Sequence, residues 1–229
     1  MLIIADHRLP KEAIEKLHSM GELFLLKTSG IVYESISGHP DIFICQTPNN
    51  VIVAPNATKE LLEFLTHHHQ PFVIGNTNPA LQYPQTAAYN AFVDESIVVH
   101  NLQITDPTIL QLTGFHQHIN VEQAYSRCNL IKIKDLFITS DKGIEKALKA
   151  HNKEVFFVCP STITLPSHKH GFIGGCSGIW QSKWVVTGSL RHLPQGDALK
   201  AELAHRGIDC VELFEGNLFD GGSILFLPQ

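Results

Sequence analysis

The sequence predicts an α/β protein in which five short strand–strand–helix–strand units close into a five-fold pseudosymmetric ring, an α/β propeller. Three observations carry that expectation. One apolar pattern recurs five times, a helical stretch follows each recurrence, and a further strand-like run follows each helix.

The recurring pattern is a small or polar residue, four apolar residues, a turn, four more apolar residues, and then Asn, Asp or Ser. The first copy runs from His39 to Asn56, with Pro48, Asn49 and Asn50 as turn chemistry between two strands. The second runs from Asn90 to Asn101, the third from Cys128 to Asp141 and the fourth from Cys176 to Ser189. The fifth is split: GGSILFLPQ at the C-terminal end supplies one strand and MLIIAD at the N-terminal end the other. The two chain ends would therefore seal the ring.

Helix start signals follow each strand pair. Asp106 is placed to cap, with Pro107 in the first turn before TILQLTG. Ser140 or Asp141 precedes a helix whose Ile144, Ala147 and Leu148 share a face, and Asp197 precedes ALKAELAHRG with Gly207 as its stop. Leu61, Leu62 and Leu65 line the helix after Asn56, and Pro10 opens the one that contains Ile14 and Leu17. The third strands are PFVIG, HINV, EVFFVCP, CVELF and ELFLLK. A unit of this size cannot bury its apolar face alone, so the copies must pack side by side, and closing the ring removes the sheet edges. The competing arrangement is a plain mixed sheet with helices on both faces. No stretch rich in Gly, Ser or Pro divides the chain, so residues 1–229 read as a single domain.

Composition narrows the function classes. The chain is 44% hydrophobic and 17% charged, the balance of an ordinary globular protein. A formal net charge of -5, with no cluster of Lys or Arg, argues against nucleic acid as a partner. No apolar run approaches the ~20 residues of a membrane helix, and Asp6 interrupts the N-terminal apolar run where a signal peptide would continue. A cytoplasmic location without membrane contact is expected, as a monomer or a homodimer. The five cysteines are odd in number and form no CxxC pair, so free thiols are the simplest reading. The run His67, His68, His69 reads as a solvated surface tract rather than a metal site, since neighbours on a helix end point different ways. No metal is expected.

In a ring, the first residues of each opening strand converge at one end of the axis. They are His39 with Asp41, Asn90, Cys128 with Asn129, Cys176 with Ser177, and Asp220 with Gly221 and Gly222. A thiol needs a base or a cation to become a thiolate, and an imidazole needs an acid to fix its tautomer. Cys, His and Asp at one locus are thus a coherent chemical set.

The GHPD run, Gly38 to Asp41, resembles the His-x-Asp strand start of arginine and agmatine deiminases, members of the pentein or guanidino-group-modifying fold superfamily that also holds the amidinotransferases. The resemblance implies His39 as general acid/base and Asp41 as a grip on a guanidinium. FDGGSIL, Phe219 to Leu225, is similar to the acid-Gly-Gly motif of the deiminases and dimethylarginine hydrolases, which implies that Asp220 supports His39. YNAFV from Tyr89 resembles the strand between the histidine and cysteine units, and SRCNLIKI occupies the place of the nucleophile, which implies Cys128 as the attacking thiolate. Asp41, Asn90, Asn129, Arg127, Cys176, Gly221 and Gly222 then stand as candidates for substrate binding. The units occur in the order His, Asn, Cys, one unmatched, then Asp-Gly-Gly, a circular permutation that is neutral in a closed ring. HGFIGGCSG and ITSDKG look like segments of an uncharacterised family of small bacterial proteins of this fold. The chain departs from the enzymes in two places: Asp220 stands where they usually carry Glu, and their second guanidinium-binding carboxylate is replaced around GGCSG.

Other readings of the same residues remain open. Cys128 beside Arg127 also fits a small buried core residue, and Cys176 between glycine and Ser177 fits close backbone approach at a crowded axis. Which of the two is the reactive thiol is undecided. His39 also fits a structural histidine holding Asp41, and Asp220-Gly-Gly a tight turn. Cys45, Cys159 and Cys210 fall in apolar strand runs and read as core. The expected function is a cysteine-dependent hydrolase or amidinotransferase-like enzyme acting on a C–N bond of a small guanidino- or amidine-like molecule, without a cofactor. An activated Cys128 would be alkylated by iodoacetamide well below pH 8, whereas a buried structural thiol would resist. The alternative is a non-catalytic binding or assembly ring, like the pentein-type translation initiation factor.

Overall fold

Each of five sheets is built around a middle strand that is antiparallel to the strand before it and parallel to the strand after its helix. This follows from the chain path: a short turn joins the antiparallel pair, while the parallel strand needs a helical crossover. The computed structural model describes residues 1–227. In chain order the elements are β1 (Leu2–Asp6), α1 (Lys11–Met20), β2 (Glu22–Leu26), α2 (Pro40–Phe43), β3 (Ile44–Gln46), β4 (Val51–Val53), α3 (Lys59–His67) and β5 (Val73–Ile74). Next come β6 (Phe92–Val93), β7 (Ile97–His100), α4 (Pro107–Leu112), β8 (Gln117–Asn120), α5 (Ser126–Asn129), β9 (Leu130–Ile133), β10 (Leu136–Thr139), α6 (Lys142–Ala150) and β11 (Glu154–Phe157). The chain ends with β12 (Ser177–Trp180), β13 (Lys183–Val186), α7 (Gly196–His205), β14 (Cys210–Glu212) and β15 (Leu225–Leu227).

The split unit forms as expected. Leu2, Ile3 and Ile4 pair antiparallel with Leu227, Phe226 and Leu225, so the two ends share one sheet. Pro228 and Gln229, part of the C-terminal strand expected from sequence, lie outside the described residues.

Around the axis, the starts of successive units are tied into a closed circuit. Arg127 N donates to Asn90 O at 2.9 Å, Gly175 N to Cys128 O at 2.8 Å, and Ser223 N to Gly175 O at 2.8 Å. Asp41 N then donates to Gly222 O at 3.2 Å, and Asn90 Nδ2 to Asp41 O at 3.3 Å, which returns to the start. These bonds satisfy backbone groups that the short inner strands leave buried without a sheet partner.

Local chemistry explains most element ends. Asp106 Oδ1 accepts from Thr108 N at 2.8 Å, and Asp141 Oδ1 from Ile144 N at 2.8 Å, both as side-chain caps. Thr58, not Asn56, caps α3 through Leu61 N. Asp197 lies inside the first turn of α7 rather than at its cap, where it still favours the helix dipole. Gly207 ends that helix at φ 59, a left-handed conformation suited to glycine. One expectation is corrected. His39–Phe43 and Cys128–Asn129 were expected to start strands, but each lies at a helical turn, α2 or α5, ahead of its strand. Pro40 suits that turn, having no N–H to lose and a fixed φ.

The middle strands β1, β4, β7 and β10 are buried throughout, while the third strands β2, β5 and β8 face solvent in part. Helices cover the sheets through narrow apolar stripes such as Ala13 with Leu17, Leu61 with Leu65, and Ile144 with Leu148.

At the seam between β12 and β15, Ile224 N donates to Ser177 O at 3.0 Å. A Cβ on Gly178 would lie 2.2 Å from the Ile224 carbonyl oxygen, which is backbone and cannot swing aside. Gly178→Ala should therefore strain the seam and cost about 1–3 kcal/mol, the usual range for overpacking. Urea unfolding followed by circular dichroism would read this as a lower midpoint; an unchanged midpoint would mean that the seam is not tightly closed.

Candidate active site

Four of the five units contribute side chains to one end of the axis. His39 is the residue before α2 and Asp41 lies in its first turn, Asn90 precedes β6, and Cys128 lies on α5. Asp220, Gly221, Gly222 and Ser223 form the turn that leads into β15. Gly222 sits at φ 67, and a Cβ there would come within 2.1 Å of the His39 Cβ, so only glycine lets the imidazole lie flat on this turn.

His39, Cys128 and Asp220 line a single cavity of about 130 Å³, walled mainly by Tyr33, Tyr125, Phe172 and His170. Asp41 lies beneath it, fully buried. The Cys128 thiol donates to Asp41 Oδ2 at 2.9 Å, and Ser223 Oγ donates to the same oxygen at 2.7 Å. Asn90 holds the pair together: its Nδ2 donates to Cys128 Sγ at 3.2 Å, and its Oδ1 accepts from Cys128 N at 3.0 Å. Asp41 Oδ1 and both ring nitrogens of His39 are buried and have no hydrogen-bond partner among the described residues. Buried polar atoms are seldom left so, and all three retain hydrogen-bonding capacity.

The electrostatics are dominated by acids. Burial pushes the Cys128 thiol well above its ordinary value, and the charges of Asp41 and Asp220 push it further, which favours the protonated thiol. Burial also raises Asp220, to about 6, against the opposing pull of His39 and of the Gly222 and Phe172 amides. Those amides donate to Asp220 Oδ1 at 3.0 Å and Oδ2 at 2.8 Å. Asp220 thus makes no hydrogen bond to His39; it acts on the imidazole through its charge.

A nearer acid is Asp6 at the end of β1, whose Oδ2 lies 3.8 Å from His39 Nε2. Arg8 clamps Asp6 with Nε at 2.9 Å and 3.2 Å from its two oxygens and Nη2 at 2.5 Å. Asp6 entered the sequence reading only as the end of an apolar run. Nothing in the one-dimensional pattern ties residue 6 to residue 39; only the pairing of β1 with β15 does so. The wall residues Tyr33 and Tyr125 also carried no signal, because they come from connections between the repeats, while Ser223 and Phe172 lie in the FDGGSIL and HGFIGGCSG segments but were given no role there.

Of the sequence candidates, His39, Cys128 and Asp220 line the cavity; Asp41, Asn90, Gly221 and Gly222 support it, and Arg127, Asn129 and Cys176 are directed elsewhere. Arg127 extends to a second cavity at the far end of the ring. Asn129 turns toward its own unit, donating to Tyr125 O at 3.0 Å and accepting from Ser140 Oγ at 3.0 Å. Cys176 is buried in a core cluster, with its thiol on Phe172 O at 3.1 Å. Cys45 is buried in the core, whereas Cys159 and Cys210, read as core, are only partly buried. His39, Asp41 and Cys128 each offer a donor atom within 4.8 Å of the others, so these three are where a metal ion would find ligands.

The family described as "Family of unknown function (DUF6873)" matches residues 4–225. No curated protein matches the chain. Solved structures do. The amidinotransferase SxtG from Microseira wollei, of the saxitoxin biosynthetic pathway, superposes with a TM-score of 0.55 at 9% identity, covering 100% of this chain and 94% of that one. The agmatine deiminase of C. jejuni with substrate bound gives 0.54 at 10% identity, covering 93% and 76%. A DDAH from Pseudomonas aeruginosa in complex with citrulline gives 0.50 at 9% identity, covering 92% and 91%. At such identities the likeness is one of fold, and the fold is the pentein ring.

The thiols should differ in reactivity in the free protein. Hydrogen bonds involving Ser161 lower the Cys159 thiol, which is also the more accessible. Iodoacetamide at neutral pH, with peptide mapping by mass spectrometry, should label Cys159 well before Cys128. Equal labelling of the two would contradict a buried, protonated Cys128.

Proposed function

We propose, on the premise that the chain belongs to the DUF6873 family, that it is a cysteine-dependent enzyme cleaving a C–N bond of a small guanidino- or amidine-like cation. The observation that carries this reading is the meeting of Cys128, His39 and Asp220, from three units far apart in sequence, on one cavity. The charge balance supports it. Asp41 and Asp220 flank a thiol that cannot ionise beside them, and a planar cation seated there would offset both. The unpartnered Asp41 Oδ1 is free to accept a hydrogen bond from its N–H groups.

In the proposed reaction, binding of the cation lowers the thiol's affinity for its proton, which passes to His39. The thiolate attacks the sp² carbon and forms a C–S bond. The tetrahedral adduct collapses with rupture of the C–N bond, and His39 returns the proton to the departing amine. Water, deprotonated by His39, then adds to the thio-adduct; C–S cleavage releases a urea- or amide-type product and restores the thiol. An amine in place of water would make the same site an amidinotransferase. Asp6 and Asp220 hold the imidazolium that forms midway, and Asn90 positions the sulfur. We read the five units as one domain, acting in the cytoplasm as a monomer or homodimer without nucleic acid or membrane. No helix among the described residues is long and apolar enough to cross a membrane.

Screening small guanidines, amidines and ureido compounds for ammonia or amine release tests the reading. Cys128→Ala should abolish turnover and leave the circular dichroism spectrum intact; full activity in that variant excludes the mechanism. The same variant, unable to turn over, should bind acetamidine measurably by calorimetry.

That binding should depend on pH with a definite sign. Asp220 is charged above about 6 and neutral below it. Its hold on a cation is therefore present at pH 7 and lost as pH falls through about 6, by up to about tenfold per unit in the limit of one proton. Asp220→Asn should flatten that dependence; an unchanged slope would remove Asp220 from the ligand's surroundings.

A further inference from the structure

The ring has a second mouth. At the end of the axis opposite Cys128, a cavity of about 470 Å³ opens among the far halves of the inner strands. That is within the usual range for small-molecule sites. Phe92, Ile131, Ile133, Ile179 and Phe226, drawn from four units, make its walls apolar.

Into this cavity projects Arg127. Its guanidinium has no hydrogen-bond acceptor among the described residues, and its Nη1 is buried. A buried cation without an acceptor carries a desolvation cost that a partner would remove. The other cations at this mouth are already occupied. Lys132 Nζ pairs with Asp94 Oδ2 at 2.7 Å, and Lys134 Nζ donates to Arg206 O at 2.5 Å and Gly207 O at 2.9 Å. Asp94 in turn spends its second oxygen on Ser96 N at 2.7 Å and Ile97 N at 2.8 Å. Among the described residues Arg127 is the cation at this mouth without a hydrogen-bonded partner, beside apolar walls and a rim that also carries Asp94 and Glu95. A ligand that suits it has one negative charge, planar enough for a two-pronged guanidinium bond, on a short apolar body.

We propose that the far mouth of the ring is a binding site for a small organic monocarboxylate, with Arg127 as the residue that pairs with its carboxylate. The site is separate from the Cys128 cavity, which Asp220 lines and Asp41 underlies. It stands whether or not the chain proves to be an enzyme.

The test uses hexanoate, with hexanamide as its uncharged counterpart, by calorimetry and thermal unfolding of the full chain. Hexanoate should bind saturably at one site and raise the unfolding temperature, and hexanamide should bind at least tenfold more weakly. Arg127→Met, which keeps the length and removes the charge, should weaken hexanoate binding at least tenfold. Ile179→Glu, on a partly exposed strand position at the same mouth, should abolish it by supplying Arg127 with an internal carboxylate. Should Arg127→Met fail to fold, the Ile179→Glu variant decides. Equal binding of hexanamide, unchanged hexanoate affinity in either variant, or no saturable binding would each overturn the assignment.

Discussion

Antiparallel pairing of the two chain ends is the contact on which the remaining structure depends. With Leu2 to Ile4 held against Leu225 to Leu227, the fifth sheet exists and the circuit of axial hydrogen bonds can close. The inner strands are only two to four residues long, too short to hold a sheet independently. Their starts are fixed instead by bonds to the next unit, so each unit's position is set by its neighbours. The consequence is local to the cavity: Asp220 and Ser223 reach Asp41 and Cys128 only because β15 is anchored to β1. Loss of that pairing would disperse the site before it unfolded any single helix.

Closure also concentrates acid. Asp6, Asp41 and Asp220 are all buried near His39 and Cys128, and of these three acids Arg8 hydrogen-bonds Asp6. Burying like charges together is unfavourable, and the molecule shows two responses. Asp220 has its proton affinity raised, and the Cys128 thiol keeps its proton. The proposal of a cationic ligand therefore rests on the charges around the cavity and does not require any likeness to other rings. Under the proposed mechanism, the same field keeps the thiol protonated until a cation occupies the space beside it.

The fold was legible because its determinants are local and periodic. Alternation of apolar residues, a turn such as Pro48-Asn49-Asn50, and caps such as Asp106 and Asp141 each act within a few positions, and their fivefold recurrence implied the ring. The meeting of His39, Cys128 and Asp220 followed from the same recurrence, since equivalent positions of repeated units share an end of the axis. What escaped was whatever the recurrence does not govern. Asp6 lies at the far end of a middle strand, and Tyr33, Tyr125 and Phe172 come from irregular connections. The direction of a side chain also escaped. Arg127, Cys128 and Asn129 are consecutive, yet on a single helical turn they point to the far mouth, the cavity and their own sheet respectively. An extended strand would have alternated them between two faces only, which is the geometry the sequence reading assumed.

That helical turn has an electrostatic result. Asp41 strengthens the hold of Arg127 on its proton, against the burial that weakens it. The attraction is mutual, so Arg127 offsets part of the negative charge around Asp41 from the opposite side of the ring. The two mouths are thus separated as spaces and joined by one field. A negative group at the far mouth would cancel some of that offset and leave Asp41 and Cys128 facing a less positive surrounding, which favours the protonated thiol. A cation in the near cavity would act in the other direction. Because binding free energies are reciprocal, each ligand must alter the affinity for the other by the same factor, whatever its size.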